Sequence, residues 1–298
     1  MFNRLIIATD LSKDSSALIN CLGALKVYGA EKILLLQSRT AVEILGMDNT
    51  YKAAVIAGYE EFLQKQKKTL EKEGYDVETR ILSGSSPNEI NRIAADEDYS
   101  AVVAGAERHS SSDEVYFSDL ANDLIHSAKK PVMLVRLTKL KEQLREGLSS
   151  YVEKIGCEIG NHVLFPTDFS ENADVAFAYI SGMIAASAKK VTLLHVQDKT
   201  RITPHLENRI DEFNVIDNTR LQNMKKILQE KGNAEVETVI KYGSPSVEIL
   251  DFIREKGVNL VVMGSQGRGF VKEFFLGSVS HNIARSSPSS VLLIPTKR

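Results

Sequence analysis

The chain has 298 residues, with 37 Lys+Arg against 39 Asp+Glu and a formal net charge of -2. No global excess of positive charge recommends a nucleic acid or an anionic membrane as partner. Its 43% hydrophobic and 26% charged residues make an ordinary globular balance, and the length suits two domains of about 150 residues each. Two cysteines, Cys21 and Cys157, are too few for a disulfide framework or a thiolate metal set and point to a reducing, cytoplasmic setting. No apolar run approaches the roughly 20 residues of a membrane span. The opening MFNRLIIATDLS meets Asp10 after a short apolar run, too early for a secretory leader.

In chain order, RLIIAT, KILLL, VETRIL, AVVAG and VMLV are short apolar, β-branched runs that read as buried parallel strands. Helical patterns lie between them. YEEFLQKQKKTLEKEG places apolar residues on one face and ends at Gly74, a helix stop. In SSPNE, Ser86 caps a helix, Pro87 enters its first turn and Glu89 closes a capping box. Alternating strands and helices predict an α/β doubly wound, five-stranded parallel sheet with helices on both faces.

The segment LTKLKEQLREGLSSYVEKIGCEIGN follows. Leu140, Leu144, Leu148, Val152 and Ile155 stand at helical spacing and predict an amphipathic connecting helix. Then the first unit repeats. RLIIATDLS returns as HVLFPTDFS, KILLLQS as KVTLLHV, ILSGSSPNEI as IKYGSPSVEI, SAVVAGAERH as NLVVMGSQGR, and PVMLVR as SVLLIP. The register is a shift of 158 in the first part of the unit and 159 in the second. One duplicated fold therefore accounts for both halves: a first domain over 1–137, a connecting helical segment over 138–160 and a second domain over 161–298.

In such a sheet, ligands sit beyond the carboxyl ends of the strands where the strand order reverses. FPTDFS follows the first strand of the second unit, and MGSQG follows its fourth. Gly264 and Gly267 let the backbone turn and present N–H groups to an anion. Gly277, Ser278 and Ser280 open the helix SVSHNIARSS. Its N-terminus suits phosphate, and the two serines add hydroxyl donors. Arg268 adds charge behind the backbone contribution. Asp168 also fits a helix cap, with Glu171 at the third helical position. The chain has neither a Walker A sequence nor a dinucleotide fingerprint after a first strand.

The stretch MGSQGRGFVKEFFLGSVSHNIARSS, with PTDFS and the strand end LLHV, resembles the G-x2-G-x9-G-[ST] nucleotide signature of universal stress proteins. The likeness covers both units and implies a tandem member. It implies a strand order 3-2-1-4-5, the adenine nucleotide alpha hydrolase-like fold. It places Pro166, Thr167, Asp168 and Val196 around adenine and ribose, and Met263, Gly264 and Gln266 beside the ribose. Gly267, Gly277, Ser278, Val279 and Ser280 would hold phosphates. ATP, ADP or AMP is the implied ligand. Asp168 could help place Mg2+ on a triphosphate, yet a lone carboxylate is poor evidence for a phosphoryl-transfer site. The resemblance also implies dimers through the last strand. In a tandem chain, Val132–Val135 beside Val291–Ile294 would satisfy that edge as an intramolecular pseudo-dimer, with homo-oligomers beyond it.

The first unit departs from the signature. Ala8 and Ser38 replace Pro166 and Val196; Arg108 stands for Gly267, and Ser118 and Asp119 for Gly277 and Ser278. A carboxylate at a phosphate-facing helix start repels the ligand, so this site is expected to bind weakly or not at all, with Asp10 structural. No catalytic constellation is evident. The six histidines lack HExxH spacing, GxSxG is absent, and His195, replaced by Gln37 in the first unit, reads as a packed histidine. The functional expectation is a nucleotide-holding regulatory protein of the stress response. Slow ATP hydrolysis or self-phosphorylation at Ser278 or Ser280 is one alternative, and a non-binding interaction scaffold is the other.

Overall fold

The computed structural model describes residues 1–9, 13–38, 49–82, 87–108, 115–117, 119–142, 152–156, 159–203, 205–267 and 276–296. The first unit runs β1 (Arg4–Thr9), α1 (Lys13–Cys21), β2 (Lys32–Ser38), α2 (Asn49–Lys72), β3 (Asp76–Leu82), α3 (Pro87–Asp96), β4 (Ala101–Arg108), β5 (Val115–Phe117), α4 (Asp119–Ser127) and β6 (Val132–Glu142). After β7 (Val152–Gly156), the second runs β8 (His162–Pro166), α5 (Glu171–Ala186), β9 (Lys190–Asp198), α6 (Lys199–Ile202), α7 (Ile210–Gln229), β10 (Glu235–Gly243), α8 (Pro245–Lys256), β11 (Leu260–Gly264), α9 (Ser278–Ser286) and β12 (Ser290–Ile294).

Each unit is a five-stranded parallel sheet, ordered β3-β2-β1-β4-β6 and β10-β9-β8-β11-β12. Both follow the expected 3-2-1-4-5 arrangement. All residues of β8, β11 and β12 are buried, as helices on both faces of a parallel sheet require. Gly74, after α2, and Gly257, after α8, take φ of 84° and 59°. There they turn the chain where a side chain would be strained.

The two sheets join edge to edge. β12 pairs antiparallel with β6, placing Val291 opposite Leu134, Leu292 opposite Met133 and Leu293 opposite Val132. This is the anticipated pseudo-dimer, and it removes two bare apolar edges. One core cluster crosses the junction and gathers Phe2, Leu35 and Met133 with Phe165, Ile180 and Leu292. Among the described residues, no helix is long and apolar enough to cross a membrane.

Two expectations need correction. The connecting segment is not helical where it is described: β6 continues to Glu142 and pairs antiparallel with β7, Thr138 opposite Gly156 through Glu142 opposite Val152. A spacing of four is a multiple of two, so Leu140, Leu144, Leu148 and Val152 fit one face of a strand as well as one face of a helix. Leu144 and Leu148 lie outside the described residues. Cys21, read as outside any disulfide framework, is disulfide-bonded; Cys157, the other cysteine of the chain, lies outside the described residues. Asp10, Ser86, Ser118 and Arg268 also lie outside them.

Candidate functional site

The site lies where β8 separates β9 from β11, the reversal point of the second sheet. β8 ends at Pro166, and Thr167 N–H donates to the Leu194 carbonyl at 2.9 Å. The next residues hold themselves by short side-chain bonds. Thr167 Oγ1 accepts from Phe169 N–H at 3.0 Å, and Asp168 Oδ1 accepts from Ser170 N–H at 3.1 Å. These are the local turns that Thr and Asp side chains favour. They hold Phe169 at φ 58°, uncommon for a bulky residue. Its ring packs 4.6 Å from the His195 ring, centroid to centroid, and the Arg220 guanidinium lies 5.2 Å from the Phe169 centroid. The helix cap is Ser170, whose Oγ accepts from Ala173 N–H at 3.3 Å. That corrects the capping role considered for Asp168: the cap falls two residues later, and Glu171 begins the helix.

Asn172, in the first turn of α5, ties the glycine segment to the sheet. Its Oδ1 accepts from Gln266 N–H at 2.9 Å, and its Nδ2 donates to the Ile294 carbonyl at 3.2 Å. This close approach explains the glycine at 264, where a Cβ would stand 2.6 Å from Asn172 Oδ1. Gly267 is approached as closely but by a side-chain end alone, since its Cβ would stand 2.6 Å from Asp168 Oδ2. The Gly277 N–H donates to the Ser265 carbonyl at 2.8 Å, closing the two ends of the glycine segment on each other.

Gly277 caps α9 without a side-chain hydrogen bond. The backbone N–H groups of Ser278, Val279 and Ser280 form the first turn of this helix, where intrahelical acceptors are lacking. The Ser280 side chain behaves otherwise than expected. Buried, it donates its hydroxyl to the Gly264 carbonyl at 2.8 Å, so its hydrogen is committed to holding the glycine segment. What Ser280 can offer an anion is its backbone N–H. The Ser278 side chain remains exposed.

All twelve residues named from the resemblance, from Pro166 to Ser280, line one cavity of about 600 Å³. That volume lies within the range of small-molecule sites. Met263 is buried in the core beneath it, while Val196 is half-buried. Sequence reasoning missed the opposite wall. Phe213, Ile216, Asp217 and Arg220 of α7 face the cavity. Asp217 is buried; it accepts from Gln197 Nε2 at 3.1 Å, lies 3.4 Å from His195 Nε2, and lies 3.7 Å from Arg220. The other ring nitrogen of His195 is 2.7 Å from the Thr167 carbonyl. The available signal was an aspartate and an arginine at i+4 and i+7 from Phe213, on one helical stripe.

The corresponding place in the first unit is built differently. Thr9 Oγ1 donates to Gln37 Oε1 at 3.3 Å, where the second unit has the Thr167–His195 contact. Beyond Gly105, the counterpart of Gly264, β4 continues to Arg108 and pairs antiparallel with β5. Strand pairing therefore occupies positions at which the second unit has left its sheet.

The family model for the universal stress protein family matches residues 1–136 and again residues 161–295. The chain belongs to the universal stress protein family. Among its relatives in that family, universal stress protein MJ0577 of Methanocaldococcus jannaschii is 32% identical over 154 residues, covering 45% of this chain and 94% of that protein. Universal stress protein YxiE of Bacillus subtilis is 45% identical over 74 residues, 25% of this chain and 49% of that protein. A solved universal stress protein from Archaeoglobus fulgidus superposes with a TM-score of 0.75 at 23% identity, covering 99% of both chains; at that identity the likeness speaks to the tandem fold.

Proposed function

We propose that the second unit holds one adenine nucleotide and that the protein is regulatory, its bound state altering its surface or its contacts. The observation that carries this reading is convergence. Residues 166–168, 196, 263, 264, 266, 267 and 277–280 meet at one cavity at the reversal point of a parallel sheet. A helix N-terminus with no side-chain cap bond closes one end, where phosphate is favoured. The base and ribose would lie between Pro166–Asp168, Val196 and the Met263–Gln266 segment. The phosphates would meet Gly267 and the N–H groups of Ser278, Val279 and Ser280.

Among the described residues, no three His, Cys, Asp or Glu side chains form a metal-binding group. Mg2+ is commonly held by one or two carboxylates together with substrate phosphates. Asp168 fits as that single carboxylate: its Oδ2 lies against Gly267, so the ion would arrive with a triphosphate. ATP, ADP and AMP all suit the remaining contacts.

Holding is favoured over turnover because both ring nitrogens of His195 are engaged, by the Thr167 carbonyl and by Asp217. The Ser280 hydroxyl is committed to Gly264, which leaves Ser278 as the serine through which self-phosphorylation would run. For the first unit, the β4–β5 pairing and Asp119 support a site that binds weakly or not at all.

The test is to release, identify and count the nucleotide from purified protein. About one adenine nucleotide per chain is expected. A ratio near two would contradict the degenerate first site. Repeated failure to bind added ATP, ADP or AMP would leave the scaffold reading. Timed incubation with ATP, compared between wild type and Gly277→Asp, separates holding from hydrolysis; turnover lost in the variant would favour the slow ATPase.

A further inference from the structure

Arg136 belongs to the first unit, near the middle of β6, yet its side chain is spent on the second. It is buried, with 5% of its surface exposed. Its Nε donates to the Ser287 carbonyl at 2.9 Å, and a terminal guanidinium nitrogen donates to the Ala284 carbonyl. Its backbone N–H donates to Ser290 Oγ at 3.0 Å. Ala284 lies in the last turn of α9, and Ser287 is that helix's C-cap. Carbonyls at a helix C-terminus lack intrahelical partners and carry the negative end of the dipole, so a buried cation there satisfies both. Desolvation pulls the Arg136 pKa down to about 9, still above neutral, and the group is cationic at pH 7.

The other end of α9 is the turn of Ser278, Val279 and Ser280 at the cavity. In the repeat register, the counterpart of Arg136 is Pro295, which cannot reach α4 with a hydrogen-bond donor. The brace therefore runs one way, from the unit with the altered loop to the unit with the intact one.

We propose that Arg136 is a positioning residue for the nucleotide site: it fixes the C-terminal end of α9 from the neighbouring unit and so sets the direction of the backbone N–H groups that receive phosphate. This rests on the nucleotide reading above. The first unit then contributes to the site without binding ligand itself. Because α9 is a rigid element about 13 Å long, a shift at one end is carried to the other. By linkage, bound phosphate tightens the junction of the two units by the same coupling.

The experiment measures ATP and adenosine binding by calorimetry to full-length wild type, Arg136→Met and Arg136→Lys, with a thermal melt of each. Adenosine reports the cavity walls, and ATP adds the phosphate end of α9. The Met variant is expected to lose about tenfold in ATP affinity, equivalent to one factor of ten in the binding constant, with adenosine affinity unchanged. The Lys variant, which keeps the charge and loses the fork, is expected to fall between it and wild type for ATP alone. Equal losses for ATP and adenosine would mean general loosening and overturn the proposal; so would ATP affinity at the wild-type value. Should the Met variant fail to fold, the ATP-selective loss in the Lys variant decides by the same criteria. Wild type that binds neither ligand would sink the nucleotide reading and this inference with it. Wild-type binding alongside an unaffected Lys variant would sink the inference alone.

Discussion

Replacing Gly264 by alanine probes the joint on which the site hangs. The new Cβ would stand 2.6 Å from Asn172 Oδ1, 2.8 Å from its Cγ and 3.2 Å from its backbone carbonyl carbon. A side chain alone could swing aside. The backbone atom cannot retreat without moving the first turn of α5. Asn172 must also abandon its bonds to Gln266 N–H and the Ile294 carbonyl. These two hydrogen bonds, one buried and one part-buried, at about 1 kcal/mol each and overpacking of about 1–3 kcal/mol oppose the gain of about 0.4–1 kcal/mol from stiffening the unfolded chain. The net expectation is a loss of about 2–5 kcal/mol. The duplicate supplies the control. At Gly105, a Cβ would meet Leu137 Cδ1 and Leu18 Cδ2 at 3.7 Å, which is ordinary contact, and its φ is not positive. Gly105→Ala should therefore be neutral or stabilising by up to about 1 kcal/mol. Equilibrium urea unfolding of both variants beside wild type gives the two numbers. Gly264→Ala with wild-type stability, or Gly105→Ala as damaging as Gly264→Ala, would refute the reasoning from close approach.

Three other outcomes are expected. Gly267→Ala should change stability by less than about 0.5 kcal/mol, because the obstructing atom is the far end of Asp168, yet it should weaken ATP binding by displacing that carboxylate; titration calorimetry and a melt separate the two effects. Ser170→Ala removes the N-cap of α5 and should cost about 1 kcal/mol, read from the same unfolding curves. His126 packs against His281 with ring centroids 5.4 Å apart; burial first, then that neighbour, lowers its pKa from 6.5, against the pull of Asp123. A lowered folded-state pKa means that stability is full above 6.5 and is lost as pH falls through the lowered value. The melting temperature should therefore drop on acidification below pH 6.5, less steeply in His126→Gln. The slope that remains in the variant includes His162, which burial also lowers; a variant as pH-sensitive as wild type would exclude His126.

The duplicated register carried most of what could be read without coordinates. Five apolar runs recurring at one shift fix the strand sequence, and right-handed crossovers leave few ways to lay them down. The glycine segment was equally legible, because glycine at 264 and 267 records close approach. Less legible was anything that depends on which face a side chain shows. Asp217 and Arg220 look like solvated charges of a helix until α7 is laid over the cavity. The Ser280 hydroxyl looked available until Gly264 was seen beside it. The spacing of Leu140, Leu144, Leu148 and Val152 suited two periods, and pairing between β6 and β7 chose the strand at Leu140 and Val152, the two of the four that are described. Each miss is a tertiary contact selecting among conformations that the local pattern allowed.

The difference between the units has a physical consequence. A site that needs a chain leaving its sheet at Gly264 cannot coexist with a strand that runs on to a partner. In the first unit, β4 does run on, through Ala106 opposite Phe117 to Arg108 opposite Val115. Its fifth strand carries Arg136 where the second unit has Pro295. The altered unit has thus put its backbone into sheet pairing and its cation into the neighbour's helix end. Truncating the chain to its second half would then remove both the partner strand of β12 and the Arg136 brace on α9. Even with every glycine of the loop intact, such a fragment should hold phosphate less tightly than the whole chain.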